Sequence, residues 1–314
     1  MRPMGRWRWL CLLLALGALC EALSAAEFSL PPSGNVVGEL TGVTVQHDDT
    51  LADVARNFHL GYDALLFANP SVDPWLPGEG TRVTLPTMHV LPSAPRRGLV
   101  VNVAEMRLYY YPKPTSGRPP AVRVYPISIG RADWSTPLTN ARIIAKLTDP
   151  TWYPPESIRA EHAADGDELP EKVPPGEGNP LGRYALRLSV PGYLIHGTNK
   201  TYGIGMQVTH GCIRMYPSDI EELFRELAVG APVAIVNQPI KAGWRDGVLY
   251  LEIHRGIGGL QLTDQDKRQH AVEGLIQVTQ SLPRYRIDWN EVEVVIWEAT
   301  GIPMPVGGAA PTLD

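Results

Sequence analysis

Residues 194–215 read LIHGTNKTYGIGMQVTHGCIRM, with His196 and His210 on either side of a glycine-rich span and Cys212 two positions after the second histidine. A thiol becomes a nucleophile when a nearby base can take its proton, and acyl transfer then needs donors aimed at the developing oxyanion. Gly197, Gly203, Gly205 and Gly211 let backbone approach a substrate with no Cβ in the way. The same residue types admit two other readings, a zinc site built from His196, His210 and Cys212 and an inert buried cysteine. The zinc reading lacks the ligand spacing of a tight turn or a helix face, so no metal is expected.

Cysteine usage bears on this choice. The chain has Cys11, Cys20 and Cys212 and no others. Arg2, Arg6 and Arg8 precede an apolar run over 10–19, and Ser24, Ala25 and Ala26 follow. That order predicts a secretory signal peptide over 1–26, too short in its apolar part to span a bilayer comfortably. Leu19 stands before Cys20 where a lipoprotein signal needs a small residue. Removal of the leader leaves Cys212 alone in an oxidising compartment, with no partner for an internal disulfide. A net charge of −5 makes nucleic acid an unsuitable partner. No second apolar run reaches membrane-spanning length.

The elements that must position these groups can be read in order. A strand at Val43, Thr44 and Val45 leads to Thr50, an N-cap with Asp53 three residues on. Leu51, Val54, Ala55 and Phe58 recur with helical period, Gly61 breaks the helix, and 62–68 forms a second one before Asn69-Pro70. Residues 81–85 close a βααβ unit within 40–90, and 91–97 reads as a linker. From Gly98 the pattern turns to strands: a hairpin over 99–111, then 121–129, 142–147, 184–189 and 193–195, the last delivering His196. The body is therefore expected to be mainly β, a sandwich or barrel. The Pro-rich acidic stretch 149–180 is expected to be a substrate lid. Ser218 and Glu221 suggest a capping box for a helix ended by Gly230. Strands over 232–236 and 247–253 follow. Helices are expected at 263–280 and 289–299, and the tail after Val306 is expected to be disordered.

Two resemblances can be stated on these residues. The run DTLADVARNFHLGYDALLFANP is similar to the LysM peptidoglycan-binding module, which implies affinity for N-acetylglucosamine-containing glycan. The pattern HGT…THGCIRM, with the turn at Pro180-Leu181-Gly182 and the VNQP segment at 236–239, resembles the L,D-transpeptidases of the YkuD or ErfK family. That likeness spans about 98–254 and implies a β-sandwich-like catalytic domain, preceded by the module and followed by a partly helical extension over 255–314.

The second resemblance implies roles. Cys212 is the nucleophile and His196 its base. The Gly197 carbonyl orients the His196 ring, N–H groups around His210 and Gly211 form the oxyanion hole, and Arg214 holds the site or meets a substrate carboxylate. It also implies a periplasmic enzyme that needs no cofactor. A peptidoglycan tetrapeptide stem gives up D-alanine, and an amine on another stem or on an outer-membrane lipoprotein accepts the acyl group. Water as acceptor would make the enzyme an L,D-carboxypeptidase, and an inert second domain would leave a non-catalytic wall-binding protein. The module, read as a tether, should be dispensable for chemistry on soluble muropeptides.

Overall fold

The computed structural model describes residues 26–256, 262–281 and 284–309. The expected leader, with Cys11 and Cys20, lies outside these residues except for Ala26. The N-terminal part runs Ala26–Ser29 (β1), Val36–Gly38 (β2), Thr41–Thr44 (β3), Leu51–Asn57 (α1), Tyr62–Ala68 (α2), Arg82–Leu85 (β4) and Met88–Val90 (β5). The central part runs Gly98–Asn102 (β6), Arg107–Tyr111 (β7), Ala121–Gly130 (β8), Thr139–Thr148 (β9), Glu156–Ala164 (α3), Tyr184–Leu188 (β10), Leu194–His196 (β11), Gln207–Thr209 (β12), Ile213–Met215 (β13), Pro217–Glu226 (α4) and Pro232–Val236 (β14). The C-terminal part holds Ile240–Arg245 (β15), Val248–Ile253 (β16), Asp264–Thr279 (α5), Tyr285–Ile287 (β17), Trp289–Glu298 (α6) and Met304–Ala309 (β18).

The central strands run β8-β13-β11-β10-β9-β14-β6-β7, and β7 pairs back to β8, so the sheet closes on itself. Two long strands make the corners. The first part of β8 pairs with β1 and β7, and its last residues pair with β12 and β13. Likewise β9 pairs with β14 over Thr139 to Arg142 and with β10 from Ile143 onward. The result is mainly β, a sandwich whose two sheets share corner strands. Leu99, Val101 and Leu108 face the inner core, whereas Val100, Tyr109 and Tyr111 face a second cluster with Val37 and Leu91. Burial on both faces explains why β6 reads as a continuous apolar run instead of an alternating one. Leu91, in the expected linker, is part of that packing.

Helix α4 closes the inner core with Ile220 and Leu223, each worth about 2 kcal/mol on burial. The expected capping box is not formed. Pro217 occupies the first helical turn, no side chain caps the end, and Glu221 instead pairs with Arg225 four residues on. The helix stops at Leu227; Gly230, at φ +91°, makes the turn into β14.

The module is β3-α1-α2-β4, with Thr41 opposite Leu85 and Thr44 opposite Arg82. Thr50 and Asp53 form both arms of a capping box. Phe58 departs from the buried face it was expected to share and is exposed, because it lies past the end of α1 as its C-cap. Asn69 fastens the unit: its amide donates to the Leu65 and Thr84 carbonyls at 2.8 Å and its Oδ1 accepts the Thr84 N–H at 2.7 Å.

The C-terminal part differs from expectation in two ways. Strands β15 and β16, expected to belong with the central body, join a separate sheet ordered β15-β16-β18-β17. That sheet packs on α5 and α6 around Leu249, Leu251, Leu275, Val292 and Val295, a core of its own. The segment after Val306 is strand, not disordered tail, as far as Ala309; Val306 is fully buried and Ile287 pairs with Gly307. A Cβ at Gly307 would lie 2.1 Å from the Arg286 carbonyl oxygen, so this position requires glycine despite its poor strand propensity.

Candidate active site

Strands β11 and β13 lie side by side and parallel, with Ile195 opposite Ile213 and His196 opposite Arg214. The first member of each strand pair thus brings the HGT and GCIRM motifs together. Cys212 enters β13 from the loop and is half-buried. Its Sγ donates to the Gly192 carbonyl oxygen at 3.7 Å. Burial pushes the thiol pKa up, partly offset by a hydrogen bond from the Leu194 backbone and by the Arg214 charge.

His196 is buried at the end of β11, with Nδ1 2.6 Å from the Gly197 carbonyl oxygen. A carbonyl can only accept, so Nδ1 carries the hydrogen and Nε2 keeps its lone pair. Burial first, and the Arg214 cation second, lower the imidazole to about 4 against the pull of the Gly197 and Leu181 carbonyls. The ring is therefore neutral at neutral pH and able to take a proton. A Cβ at Gly197 would come within 3.2 Å of Ile220 Cγ2, so the glycine also lets α4 approach.

The loop between β12 and β13 is held tightly. Thr209 Oγ1 donates to the Cys212 carbonyl at 2.6 Å. Gly211 has φ +96°, and a Cβ there would meet the Tyr193 ring at 2.8 Å. The Thr136 hydroxyl donates to the Gly211 carbonyl at 2.9 Å and accepts the Gly130 N–H at 3.1 Å, tying the loop to β8. Thr136 was missed from sequence, since nothing local marks a threonine in a loop as a bridge.

His210 makes its contacts with α3 and with Trp134. Its Nε2 lies 2.8 Å from Glu161 Oε2 on α3, and its ring meets the edge of Trp134 at 5.1 Å. Arg131 takes the other Glu161 oxygen at 2.6 Å. Arg131 chiefly, then His210, hold the Glu161 carboxyl down to about 2. The 149–180 stretch is thus folded and fastened to the loop that carries His210 and Cys212. Trp152 bridges to Val173, and the Asn179 amide gathers the carbonyls of Pro150, Val173 and Pro174. Glu161 carried no sequence signal, because its partner lies 49 positions away.

Arg214 pairs across to Ser128 on its other side. Its Nε is buried with no hydrogen-bond partner, and burial lowers its pKa. Among the described residues no carboxylate forms an ion pair with it. His196, His210 and Cys212 do not converge on a common point. Among the described residues, the group of three His, Cys or acidic side chains whose ligand atoms do lie within 4.8 Å of one another is Glu105, Glu252 and His254. Lys241 and Arg107 already match those two carboxylates. A neutral imidazole, a thiol on the adjacent strand, a glycine loop of free approach and an acid-free guanidinium can together support acyl transfer through sulfur.

The profile of the YkuD L,D-transpeptidase catalytic domain matches residues 96–235. The probable L,D-transpeptidase YcfS of Escherichia coli K12 is 43% identical over 79% of this chain and 79% of its own. The probable L,D-transpeptidase ErfK/SrfK of the same strain is 36% identical over 91% of this chain and 92% of its own, a match that takes in most of the N- and C-terminal parts. Among solved structures, L,D-transpeptidase 3 of Mycobacterium tuberculosis aligns with 68% of this chain and 98% of that one, at 18% identity and a TM-score of 0.33. Among the described residues no helix is long and apolar enough to cross a membrane. With 43% identity reaching well past the matched domain on both sides, the chain belongs to the L,D-transpeptidase family.

Proposed function

We propose that this enzyme works in the periplasm, with Cys212 as nucleophile and His196 as its base, on a tetrapeptide stem of peptidoglycan. Sγ attacks the carbonyl of the third stem residue at its L centre, and the thiol proton passes to Nε2 of His196. N–H groups at His210, Gly211 and Cys212 receive the oxyanion. His196 then protonates the amine of the departing D-alanine, leaving a thioester on Cys212. An acceptor amine, deprotonated by His196, attacks the thioester and releases the thiol. On another stem that amine gives a 3→3 cross-link; on a lysine of an outer-membrane lipoprotein it anchors that protein to the wall. Arg214 takes a donor carboxylate in its fork. The module binds glycan and raises the local concentration of wall.

One observation carries this reading: the β11–β13 register sets His196 beside the residue two places past Cys212. The charge states support it. A thiol raised by burial and an imidazole lowered to about 4 rest as a neutral pair, not as a thiolate and imidazolium. Proton transfer then accompanies attack, and Sγ leaves the Gly192 carbonyl for His196 when donor binds.

The test is intact mass after incubation with a disaccharide-tetrapeptide, with and without an amine acceptor. The expected product is an adduct on Cys212 with loss of D-alanine, absent from Cys212→Ala. A folded wild-type protein that forms neither adduct nor D-alanine would overturn the acyl-enzyme route.

A further inference from the structure

The module does not stand apart from the active site. It grips residues 202–206, the span between His196 and His210. The N–H groups of Tyr62 and Asp63 donate to the carbonyls of Ile204 at 3.0 Å and Gly205 at 3.3 Å. These are the donors at the start of α2, whose N-cap, Gly61, has no side chain to satisfy them. The backbones meet closely: a Cβ at Gly205 would lie 2.2 Å from Gly61 Cα, and one at Gly61 3.1 Å from Gly205 Cα. Met206 packs into the module's own core. Arg56 stacks on Tyr202 at 4.7 Å and donates to its hydroxyl.

A second contact reaches the helix that follows the catalytic strand. His59 Nδ1 lies 3.1 Å from Asp219 in the first turn of α4, and the Tyr216 hydroxyl donates to the Leu60 carbonyl at 3.2 Å. The far side of the gripped span faces the site. Ser128 Oγ donates to the Gly203 carbonyl at 2.6 Å, and a Cβ at Gly203 would lie 3.8 Å from Arg214 Nη1. Residues 202–206 are therefore held between the module and the strands that carry Arg214 and Ser128.

We propose that the βααβ module is a positioning element of the active site: by gripping residues 202–206 it fixes the wall beside the Arg214 guanidinium and so sets donor binding, for soluble stems as well as for intact wall. The proposal rests on the acyl-transfer reading above and reverses the expectation that the module is dispensable for soluble muropeptides. Tyr62, Asp63, Arg56 and His59 are positioning residues, since they touch the span and α4 and not the reacting atoms.

The experiment uses the full mature chain with a wedge in the joint. Gly61 has φ −76°, so Gly61→Leu strains no backbone, and its Cβ would press hardest on Gly205, 3.1 Å from that Cα, with Pro126 Cβ next at 3.7 Å. With a soluble disaccharide-tetrapeptide, kcat/KM for acylation should fall about tenfold or more, mostly through KM. Iodoacetamide should still alkylate Cys212 at the wild-type rate, and amide exchange across 202–206 should accelerate. Wild-type KM with unchanged exchange would overturn the proposal. Should Gly61→Leu fail to fold, the half-buried Arg56 decides: Arg56→Ala should raise KM a few-fold and Arg56→Lys restore part of it, and wild-type KM in both would overturn the proposal. A wild-type protein that never acylates would count against the acyl-transfer reading alone, because the exchange comparison still reports the grip.

Discussion

Arg107 and Arg214 are both guanidinium groups drawn into the protein, one on β7 and one on β13, and their surroundings are opposite. Arg107 donates to Glu105 at 2.9 Å and to Glu252 at 2.8 Å. Burial presses its pKa down, yet the two carboxylates together raise it above the ordinary value. Lys241 joins the same cluster, 2.7 Å from Glu105 and 3.2 Å from Glu252, and Val90 adds its N–H to Glu252 and its carbonyl to Lys241. That network joins the barrel, the strand after the module and the C-terminal sheet. Arg214 has no such acid, and burial leaves its charge disfavoured. A cluster whose charges are matched serves orientation, whereas a largely buried charge left unmatched beside a thiol is suited to an anion from outside.

The same substitution should therefore act in opposite ways at the two positions. Arg107→Met leaves Glu105 and Glu252 buried with one cation fewer and should cost about 3–5 kcal/mol in denaturant unfolding. Cys212 alkylation in the folded fraction should be unchanged. Arg214→Met removes an unmatched charge, so its midpoint should stay level or rise, while kcat/KM for acylation falls about 100-fold. Equal destabilisation by both would break the contrast and make Arg214 a structural residue.

Acid sharpens the contrast at His196. Its folded pKa, about 4, lies below the ordinary imidazole value. Above about pH 6.5 both folded and unfolded states hold it neutral, and it contributes nothing to pH dependence. Between about 6.5 and 4 the unfolded chain takes a proton that the folded one refuses, so stability falls with pH, by about 3 kcal/mol in all from this group. Activity should instead persist through that window, with the acid limb of kcat/KM near pH 4. A limb at the ordinary imidazole value would show that the working base is not buried as His196 is.

How much of this could be read from sequence depends on distance along the chain. The strand that ends at His196 and the capping box of Thr50 and Asp53 are local patterns and stand where expected. The helices expected at 263–280 and 289–299 likewise appear, as α5 and α6. What was hidden is partnership. β15 and β16 look like any strands, and only pairing with β18 assigns them to the C-terminal sheet. In the strand Met304–Ala309 a Cβ at Gly307 would meet the Arg286 carbonyl oxygen and one at Gly308 that of Gly247, a reason for glycine that no propensity records. The grip of Tyr62 and Asp63 on Ile204 and Gly205 is backbone to backbone, so no side-chain type announces it.

Glu161 offers the smallest of these tests, and one that divides the site from its cover. It joins α3 to the catalytic loop through His210 at 2.8 Å and to Arg131 at 2.6 Å, in a partly exposed position where screening weakens each pair. Glu161→Gln keeps the shape and can still accept hydrogen bonds, but it removes the charge that holds Arg131 and faces His210. Cys212 and His196 are untouched, so alkylation of Cys212 and the acid limb near pH 4 should be those of the wild type. Loosening of 149–180 should appear as faster proteolytic nicking in that stretch and a KM for soluble donor raised about two- to fivefold. Because α3 reaches Cys212 through His210 and through Arg131, not by direct contact, a large fall in kcat with KM unchanged would show that Glu161 tunes the chemistry itself. The stretch would then count as part of the catalytic machinery and not as its cover.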